Sequence, residues 1–269
     1  METRASDGIY VNGSKIEVRG VDRHCFRPET GRTLSRALNL EDVKLIKSLN
    51  MNAVRCSHYP PDPEFLDMCD SLGLYVIDEF NSWQQPMSTA AGWNLVREMV
   101  TRDVNHPCIL WWANGNEGGF NYELEPQYYT YDPQKRPVIY PWSNRNGYET
   151  KHYCSFGQMQ EYMRKPEVFM PTEFLHGLYD GGHGAGLEDY WNEIRTNPRA
   201  AGFFLWSLAD EGVIRHDKAD SLDCMGHWAP DGIVGPHSEK EGSYSTVRQI
   251  WCPVQVSFDG KALSVENRY

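Results

Sequence analysis

The sequence lacks the cysteine pattern of a disulfide framework or a zinc site. Its seven cysteines are an odd number, and no two of them form a Cys-x-x-Cys pair. Four of them, Cys25, Cys56, Cys108 and Cys154, lie in or beside apolar segments that are typical of strands. We therefore interpret the cysteines as small buried hydrophobic residues.

Long apolar runs and an excess of basic charge are also lacking. No run reaches the roughly 18 consecutive apolar residues of a membrane helix, and residues 1–7 hold no apolar core like that of a signal peptide. The chain has 26 basic and 37 acidic side chains and a formal charge of −11, which argues against nucleic acid because phosphate binding needs a basic surface. These shortages predict no nucleic acid and no membrane as partner. They fit a neutral substrate and leave the cellular location open.

Short apolar runs alternate with segments of helical periodicity along the chain. One helix is marked at both ends, with Asp62 as N-cap, Pro63 at the first helical position and Gly73 just past the end. The strand candidates are residues 16–22, 52–56, 74–78, 108–113, 137–140, 152–155, 168–170 and 202–206. Eight such strands between helices or loops predict an α/β fold, a (β/α)8 TIM barrel, with a doubly wound sheet as the alternative.

Both ends of the sequence have hairpin patterns. Residues 9–18 place two strand-like runs around Asn12-Gly13, which predicts a short β-hairpin leading into the barrel. A second alternating pattern starts after Trp251. We expect a barrel domain over residues 1–253, with the hairpin at 9–18, and the truncated start of a following β-rich domain or linker at 254–269, all in a piece of a longer chain.

Polar residues that directly follow barrel strands should meet at the carboxyl-terminal mouth. This rule selects Asp22, His24, Arg55, His58, Asp78, Glu79, Asn116, Glu117, Tyr153, Glu173 and Trp206.

Glu117 and Glu173 are the best-placed acidic pair at that mouth. Hydrolysis of a glycosidic bond needs one carboxylic acid and, on the other face of the sugar, one carboxylate. Glu117 follows the apolar run Ile109-Leu110-Trp111-Trp112, so we expect desolvation to raise its pKa, as a general acid requires. The alternative for either residue is an ion pair that stabilises the fold.

Seven segments of the chain resemble one known family. They are Arg19-Gly20-Val21-Asp22-Arg23-His24, Asn52-Ala53-Val54-Arg55-Cys56-Ser57-His58-Tyr59-Pro60, Leu74-Tyr75-Val76-Ile77-Asp78-Glu79, Arg102-Asp103-Val104-Asn105-His106-Pro107, Gly115-Asn116-Glu117, Glu173-Phe174-Leu175-His176 and Gly202-Phe203-Phe204-Leu205-Trp206. In this order they resemble the catalytic domain of glycoside hydrolase family 2, of the bacterial β-galactosidase type. The resemblance covers about residues 9 to 256.

The resemblance implies roles for the acidic pair. It implies retention of configuration, with Asn116-Glu117 as the asparagine and acid/base at the end of the fourth strand and Glu173 as the nucleophile at the end of the seventh. Arg55 matches the arginine that keeps the nucleophile ionised, which is physically reasonable because a fixed positive charge lowers the pKa of a carboxyl. A salt bridge of the barrel mouth is the alternative for Arg55.

The resemblance also implies which side chains surround the sugar. His24, His58, His176 and Trp206 match positions around the bound sugar, where imidazoles bond hydroxyls and an indole supports the C–H face. Taken alone, each histidine would be a core or surface residue. Tyr153 matches a tyrosine that steadies the nucleophile. Asp78-Glu79 is either a hydrogen-bond network behind the site or in contact with the sugar.

One motif after the third strand bears on metal binding. Metal-dependent β-galactosidases continue the third-strand motif with a glutamate and a histidine that help bind magnesium, where this chain has Trp83 and Gln85. We therefore predict no metal and no cofactor.

The glycine-rich loop 181–186 lacks the acidic partner of a nucleotide site and is interpreted as a flexible subsite loop. The loop 142–148 either contacts sugar or packs.

These observations predict a retaining, exo-acting β-glycosidase that hydrolyses terminal β-linked sugars by double displacement. Among such enzymes, a β-galactosidase is favoured. A β-glucuronidase is less favoured because the sequence has no Asn-x-Lys motif to meet a sugar carboxylate. A β-mannosidase and a carbohydrate-binding fragment, inactive without its missing domains, are further alternatives. The expected partners are a carbohydrate and the missing N- and C-terminal β-sandwich domains, and a homo-oligomer is left open.

Overall fold

The computed structural model describes residues 1–178 and 183–268. It begins with a small antiparallel sheet of three strands, β1 (Glu2–Arg4), β2 (Gly8–Val11) and β3 (Ser14–Ile16). Strands β2 and β3 pair around Asn12 and Gly13, whose φ angles of 52° and 83° are those of a two-residue hairpin turn. The sheet leads directly into the first strand of the main domain.

The main domain is built on parallel strands. In chain order the next strands are β4 (Val18–Arg23), β5 (Ala53–Cys56), β6 (Tyr75–Glu79), β7 (Ile109–Ala113), β8 (Val138–Ile139), β9 (Asn144–Arg145), β10 (Tyr148–Glu149), β11 (Val168–Phe169) and β12 (Gly202–Leu205). Six of them form a parallel sheet in the order β12-β4-β5-β6-β7-β8. β10 and β11 form a parallel pair with β9 antiparallel at its edge, and a parallel bridge from Phe169 to Ala200 connects this pair to the start of β12.

The sixth predicted strand was wrong. Residues 152–155 form a turn that ends at Ser155, the N-cap of a helix, and the strand lies earlier, at Tyr148–Glu149. A closed barrel requires pairing between the neighbouring strands β8 and β10. No ladder pairing between these two strands is found in the described part of the chain. Just beyond both strands the Trp142 amide donates to the Thr150 carbonyl at 3.3 Å. A fully closed barrel therefore stays a prediction.

Helices connect most of the parallel strands. They are α1 (Arg36–Ser48), α2 (Pro63–Leu72), α3 (Thr89–Asp103), α4 (Glu125–Tyr131), α5 (Phe156–Tyr162), α6 (Leu187–Thr196) and α7 (Gly242–Ile250), with short 3-10 turns at Tyr122–Leu124 and His216–Lys218. The end signals predicted for α2 are confirmed: Pro63 opens the helix and Gly73 ends it in the left-handed conformation.

The core has two layers. The inner layer takes buried side chains from all eight parallel strands, among them Val18, Ala53, Ile77, Trp111 and Phe204, and the outer layer lies between strands and helices. Because both faces of the strands are covered, β7, β8, β11 and β12 are apolar throughout, while β4, β5 and β6 carry charged residues toward their carboxyl ends.

The segment after β12 carries two further hairpins. These are β13 (Val213–Arg215) with β14 (Ser221–Asp223), and β15 (Val254–Phe258) with β16 (Leu263–Asn267). The second hairpin fits the pattern seen after Trp251, while the domain boundary at residue 253 stays a prediction. Within residues 1–178 and 183–268, no helix combines the length and the apolarity needed to cross a bilayer.

Gly202 joins the first and last strands of the sheet and should be intolerant of a side chain. Its φ is 110°, and an added Cβ would lie 1.9 Å from the Val18 carbonyl oxygen. We expect Gly202→Ala to lower the free energy of unfolding by about 3 kcal/mol or more, measured by urea denaturation. Gly13→Ala is the control, since Gly13 also has a positive φ but has open space around it, so only about 1 kcal/mol should be lost. Equal losses in the two variants would contradict the steric argument.

Candidate active site

Arg55 is the centre of a buried network at the carboxyl ends of the strands. It is fully buried, and its guanidinium donates to Glu79 at 2.6 Å, Asp22 at 2.9 Å and Glu173 at 2.9 Å. A further bond of 2.9 Å reaches the Asn116 side-chain oxygen. One cation therefore fixes side chains at the ends of β4 and β6 and side chains that follow β7 and β11, which is the arrangement expected for residues at strand ends.

Glu173 is held as a carboxylate. Arg55 donates to its Oε1, and the Tyr153 hydroxyl donates to its Oε2 at 2.6 Å. Burial alone would raise the pKa of Glu173, but the charges of His152 and Arg55 hold it well below its usual range. The pKa of Tyr153 is raised, chiefly by burial and then by the Glu173 charge, so Tyr153 remains a hydrogen-bond donor. An ionised, firmly oriented carboxylate is what a nucleophile requires.

Glu117 lies across the cavity on a strained turn after β7. Its φ is 44°, uncommon for a residue with a side chain. Its Oε1 lies 3.3 Å from His152 Nδ1, and its Oε2 accepts from Trp83 Nε1 at 3.2 Å and from Gln84 Nε2 at 3.4 Å. The expected rise in the pKa of Glu117 was wrong: the hydrogen bond from His152 lowers this pKa and outweighs the desolvation that raises it.

His152 was not among the predicted site residues, yet it lies between the two acids. Its Nδ1 is 3.3 Å from an oxygen of Glu117 and 3.3 Å from an oxygen of Glu173. Its Nε2 is 2.9 Å from Thr172 Oγ1, which itself donates to the Thr150 carbonyl. Burial opposes charge on this imidazole, but the charge of Glu173 and the bond to Glu117 raise its pKa. Both ring nitrogens thus face acceptors, as in an imidazolium.

The signal that could have identified His152 was the position of the sixth strand. With the strand at Tyr148–Glu149, His152 follows a strand end, and the rule that selected the other residues would have selected it as well.

The histidines and Trp206 form an aromatic wall beside Glu173. His58 stacks on Trp206 with ring centroids 5.2 Å apart and planes within 7°, and His24 meets Trp206 edge-on at 5.5 Å. His176 lies 6.4 Å from Trp206. Burial and the nearby charge of His58 lower the pKa of His24 to about 3, so this imidazole is neutral and can bond a hydroxyl.

One cavity collects the predicted residues. It has a volume of about 1090 Å³ and is lined by His24, His58, Asn116, Glu117, Tyr153, Glu173, His176 and Trp206 among others. Arg55 is buried directly behind it. Asp78 and Glu79 are also buried and are absent from its lining, and Glu79 bonds Arg55 and His58, so the described contacts favour a network behind the site.

Asp231 is a second residue that the sequence did not identify. Its Oδ2 accepts from Trp206 Nε1 at 2.9 Å and lies 3.5 Å from His176 Nε2. Burial raises its pKa to about 7. Asp231 lies well after β12, the last of the parallel strands, in a segment without a helix or strand pattern. The strand-end rule therefore could not find it.

The two loops have different outcomes. Gly181 and Gly182 of the predicted subsite loop 181–186 lie outside the described residues, so the prediction for that loop is untested. In the loop 142–148, Trp142 stacks on His152 with planes within 11°, while Tyr148 is buried in the core. Both ends of the loop therefore make packing contacts, the first of them with a residue of the candidate site, and contact of the loop with sugar stays an untested alternative.

The residues around Glu117 do not fit a magnesium site. Magnesium takes oxygen ligands, but the contacts made toward Glu117 from the loop after β6 come from Trp83 Nε1 and Gln84 Nε2, both hydrogen-bond donors. Glu117, His152 and Glu173 do offer ligand atoms within 4.8 Å of one another, as do Asp70, His106 and Cys108. In the group of Glu117, His152 and Glu173, the contacts of His152 with both carboxylates account for the short distances between the ligand atoms. In the second, Asp70 bonds His106 and the Cys108 amide.

Parallel strands alternating with helices, with two acidic side chains at the carboxyl ends, place this chain among α/β domains of the TIM-barrel type. More narrowly, the chain belongs to glycosyl hydrolase family 2, whose TIM barrel domain matches residues 3–229. The chain is 33% identical over 258 residues to a β-galactosidase of Pectobacterium atrosepticum and 35% identical over 259 residues to one of Yersinia pseudotuberculosis. Each match covers 84% of this chain and 24% of its relative, so the chain spans about a quarter of their length.

Solved structures share the fold. A β-glycosidase from Bacteroides vulgatus superposes with a TM-score of 0.77 at 19% identity, over 99% of this chain and 44% of that one. A β-glucuronidase from Faecalibacterium prausnitzii gives a TM-score of 0.72 at 24% identity, over 93% of this chain and 51% of that one. At these identities the likeness concerns the fold alone.

His152 should control both limbs of the pH profile of kcat/KM, if Glu173 must be ionised and Glu117 protonated. Its hydrogen bonds lower the pKa of both acids. In His152→Phe both pKa values should rise, so the acidic limb and the basic limb both move to higher pH. In Tyr153→Phe, which loses a donor to Glu173 only, the acidic limb alone should move up. A basic limb that stays in place in His152→Phe would contradict this role.

Proposed function

We propose that this chain is the catalytic domain of a retaining, exo-acting β-glycosidase, with β-galactosidase as the favoured activity. In this proposal the eight parallel strands close into a (β/α)8 barrel, Glu173 is the nucleophile and Glu117 is the acid/base. Arg55, Asn116 and Tyr153 position these two residues. His24, His58, His176 and Trp206 bind the sugar.

The observation that carries the proposal is the geometry of the acidic pair. One oxygen of Glu117 and one of Glu173 lie within 4.8 Å of each other. Retaining glycosidases have carboxyl groups about 5–5.5 Å apart, and inverting ones about 6.5–9.5 Å, because the latter must admit a water molecule between acid and base. The short separation supports retention.

In the first step Glu173 attacks the anomeric carbon. A new bond forms between its carboxylate oxygen and that carbon while the glycosidic C–O bond breaks, and Glu117 gives its proton to the departing oxygen. Arg55 and Tyr153 fix the carboxylate before attack, so little reorganisation is needed. The hydrogen bond from His152 lowers the pKa of Glu117, so it opposes the protonated form of Glu117 that this step uses.

In the second step Glu117, now a carboxylate, takes a proton from water, and the resulting hydroxide oxygen bonds to the anomeric carbon. The ester bond to Glu173 breaks and its carboxylate is restored. Two inversions at one carbon give net retention. His152 remains between the acids in both steps and favours the carboxylate that each of them must form.

The sugar should rest against the wall of His24, His58 and Trp206. An indole offers an apolar surface to sugar C–H groups, and imidazole nitrogens bond hydroxyls. Relatives at 33–35% identity are named β-galactosidases. Together with the lack of an Asn-x-Lys motif, this favours a neutral galactoside over a glucuronide.

The direct test is mechanism-based labelling together with a substrate panel. A 2-fluoroglycoside should form a covalent ester with Glu173, seen as a mass increase on the peptide that contains it. In a panel of nitrophenyl glycosides the β-galactoside should be cleaved fastest. Binding of sugar by calorimetry, without labelling or turnover, would instead support a carbohydrate-binding domain and refute the proposal.

A further inference from the structure

Trp83 is an exposed tryptophan fixed beside the proposed acid. It is 57% exposed and lines the cavity, and its Nε1 donates to Glu117 Oε2 at 3.2 Å. Among the described residues its indole has no ring partner, unlike Trp206, which is covered by histidines. Its open apolar face is therefore directed at the space that a bound molecule would occupy, next to Glu117.

The backbone under Trp83 is rigid. The amide of Asn116 donates to the Ser82 carbonyl at 2.6 Å, and the amide of Gln84 donates to the Asn116 carbonyl at 3.1 Å. A Cβ at Gly119 would lie 2.5 Å from the Ser82 carbonyl oxygen, so the loop after β7 is pressed against this segment. Gln84 also has a positive φ of 57°. The exposed indole is thus held in place by the same turn that holds Glu117.

The cavity has aromatic surfaces on both sides of the acidic pair. On one side, His58 stacks on Trp206 and its Nε2 lies 3.8 Å from Glu173. On the other side, Trp83 contacts Glu117. A general acid protonates the departing oxygen, so the leaving group lies on the Glu117 side. The volume of about 1090 Å³ slightly exceeds the usual range of small-molecule pockets, about 300–1,000 Å³, which leaves room for a second sugar ring.

We propose that Trp83 forms the leaving-group subsite, where its indole face supports the C–H face of a carbohydrate leaving group while its N–H orients Glu117. At this position the chain offers an aromatic surface to the cavity and a neutral hydrogen-bond donor to Glu117. The inference rests on the proposed function, because it needs Glu117 as the acid.

The test measures the partitioning of the glycosyl-enzyme intermediate between water and a sugar acceptor. A dinitrophenyl β-galactoside, whose leaving group needs no acid, forms the intermediate, and added glucose competes with water for it. Attack by either one uses Glu117 as base, so the ratio of transfer product to free galactose reports acceptor binding and not the efficiency of Glu117. Product amounts are measured by chromatography at a fixed glucose concentration.

Trp83→Ala should lower this ratio about tenfold, because the stacking surface is lost. Trp83→Phe should keep the ratio within about threefold of the unaltered protein, since a ring remains although the N–H is gone. Trp93→Ala is the matched control, because it removes an exposed indole from α3, outside the cavity lining, and its ratio should not change.

An unchanged ratio in Trp83→Ala, an equal fall in Trp83→Phe, or no transfer product from the unaltered protein while galactose is released would each overturn the subsite. Failure of the unaltered protein to release dinitrophenol from any glycoside tested would refute the proposed function instead. The two failures are therefore distinguishable.

Discussion

Replacing Glu173 by Gln should lower kcat on an aryl β-galactoside by about 10⁴-fold or more, the scale on which loss of a nucleophile acts. The amide has the shape of the carboxylate but cannot form the ester intermediate. It can still accept from Arg55 or Tyr153, so the protein should remain folded. Initial rates measured beside a urea unfolding curve separate lost chemistry from lost structure.

Two further experiments sharpen this expectation. Glu98→Gln makes the same chemical change at an exposed position of α3 and should leave the rate unaltered. In Glu173→Gly, added azide should replace the nucleophile and give a glycosyl azide of inverted configuration, because only one displacement then occurs. Full activity of Glu173→Gln, or a retained azide product from Glu173→Gly, would remove Glu173 from this role.

Replacing Glu117 by Ala should reduce kcat/KM about 10²- to 10⁴-fold for a disaccharide and much less for a dinitrophenyl glycoside. A disaccharide needs a proton on its departing oxygen, whereas dinitrophenolate leaves without one. The second step should also be slow, because no base remains to activate water, and the intermediate should accumulate as a burst of dinitrophenol.

The configuration of the glycosyl azide product again identifies which of the two carboxylates was removed. In Glu117→Ala, azide needs no base and should restore turnover, giving a glycosyl azide of retained configuration. Gln84→Ala, which removes one weak donor to Glu117, should show neither the burst nor the rescue. If both classes of substrate slowed equally in Glu117→Ala, Glu117 would not be the acid.

The sequence was most informative where strands are long and apolar. Arg55 lies near the end of β5 and Glu117 follows β7, and both strands are buried along their whole length, so their ends could be located within a residue or two. That Glu117 and Glu173 line one cavity, with Arg55 buried behind it, followed from the strand-end rule alone.

The rest depended on features without a sequence pattern. The strand before His152 has two residues, too few for a period to be recognised, and the misplaced strand hid the histidine between the two acids. Asp231 is brought to Trp206 by a long irregular segment. The direction of the pKa shift of Glu117 is decided by one hydrogen bond from His152, which only side-chain positions reveal.

The pairing of β4 with β12 has a consequence for how this domain folds. Val18 lies opposite Gly202, so strands from distant parts of the sequence must meet before the sheet is continuous. Such non-local contacts close late and slow folding. The Arg55–Glu173 bond spans the same gap between early and late strands. During synthesis the site therefore assembles only after β12 has been made, and in refolding the recovery of activity should coincide with the slowest structural phase.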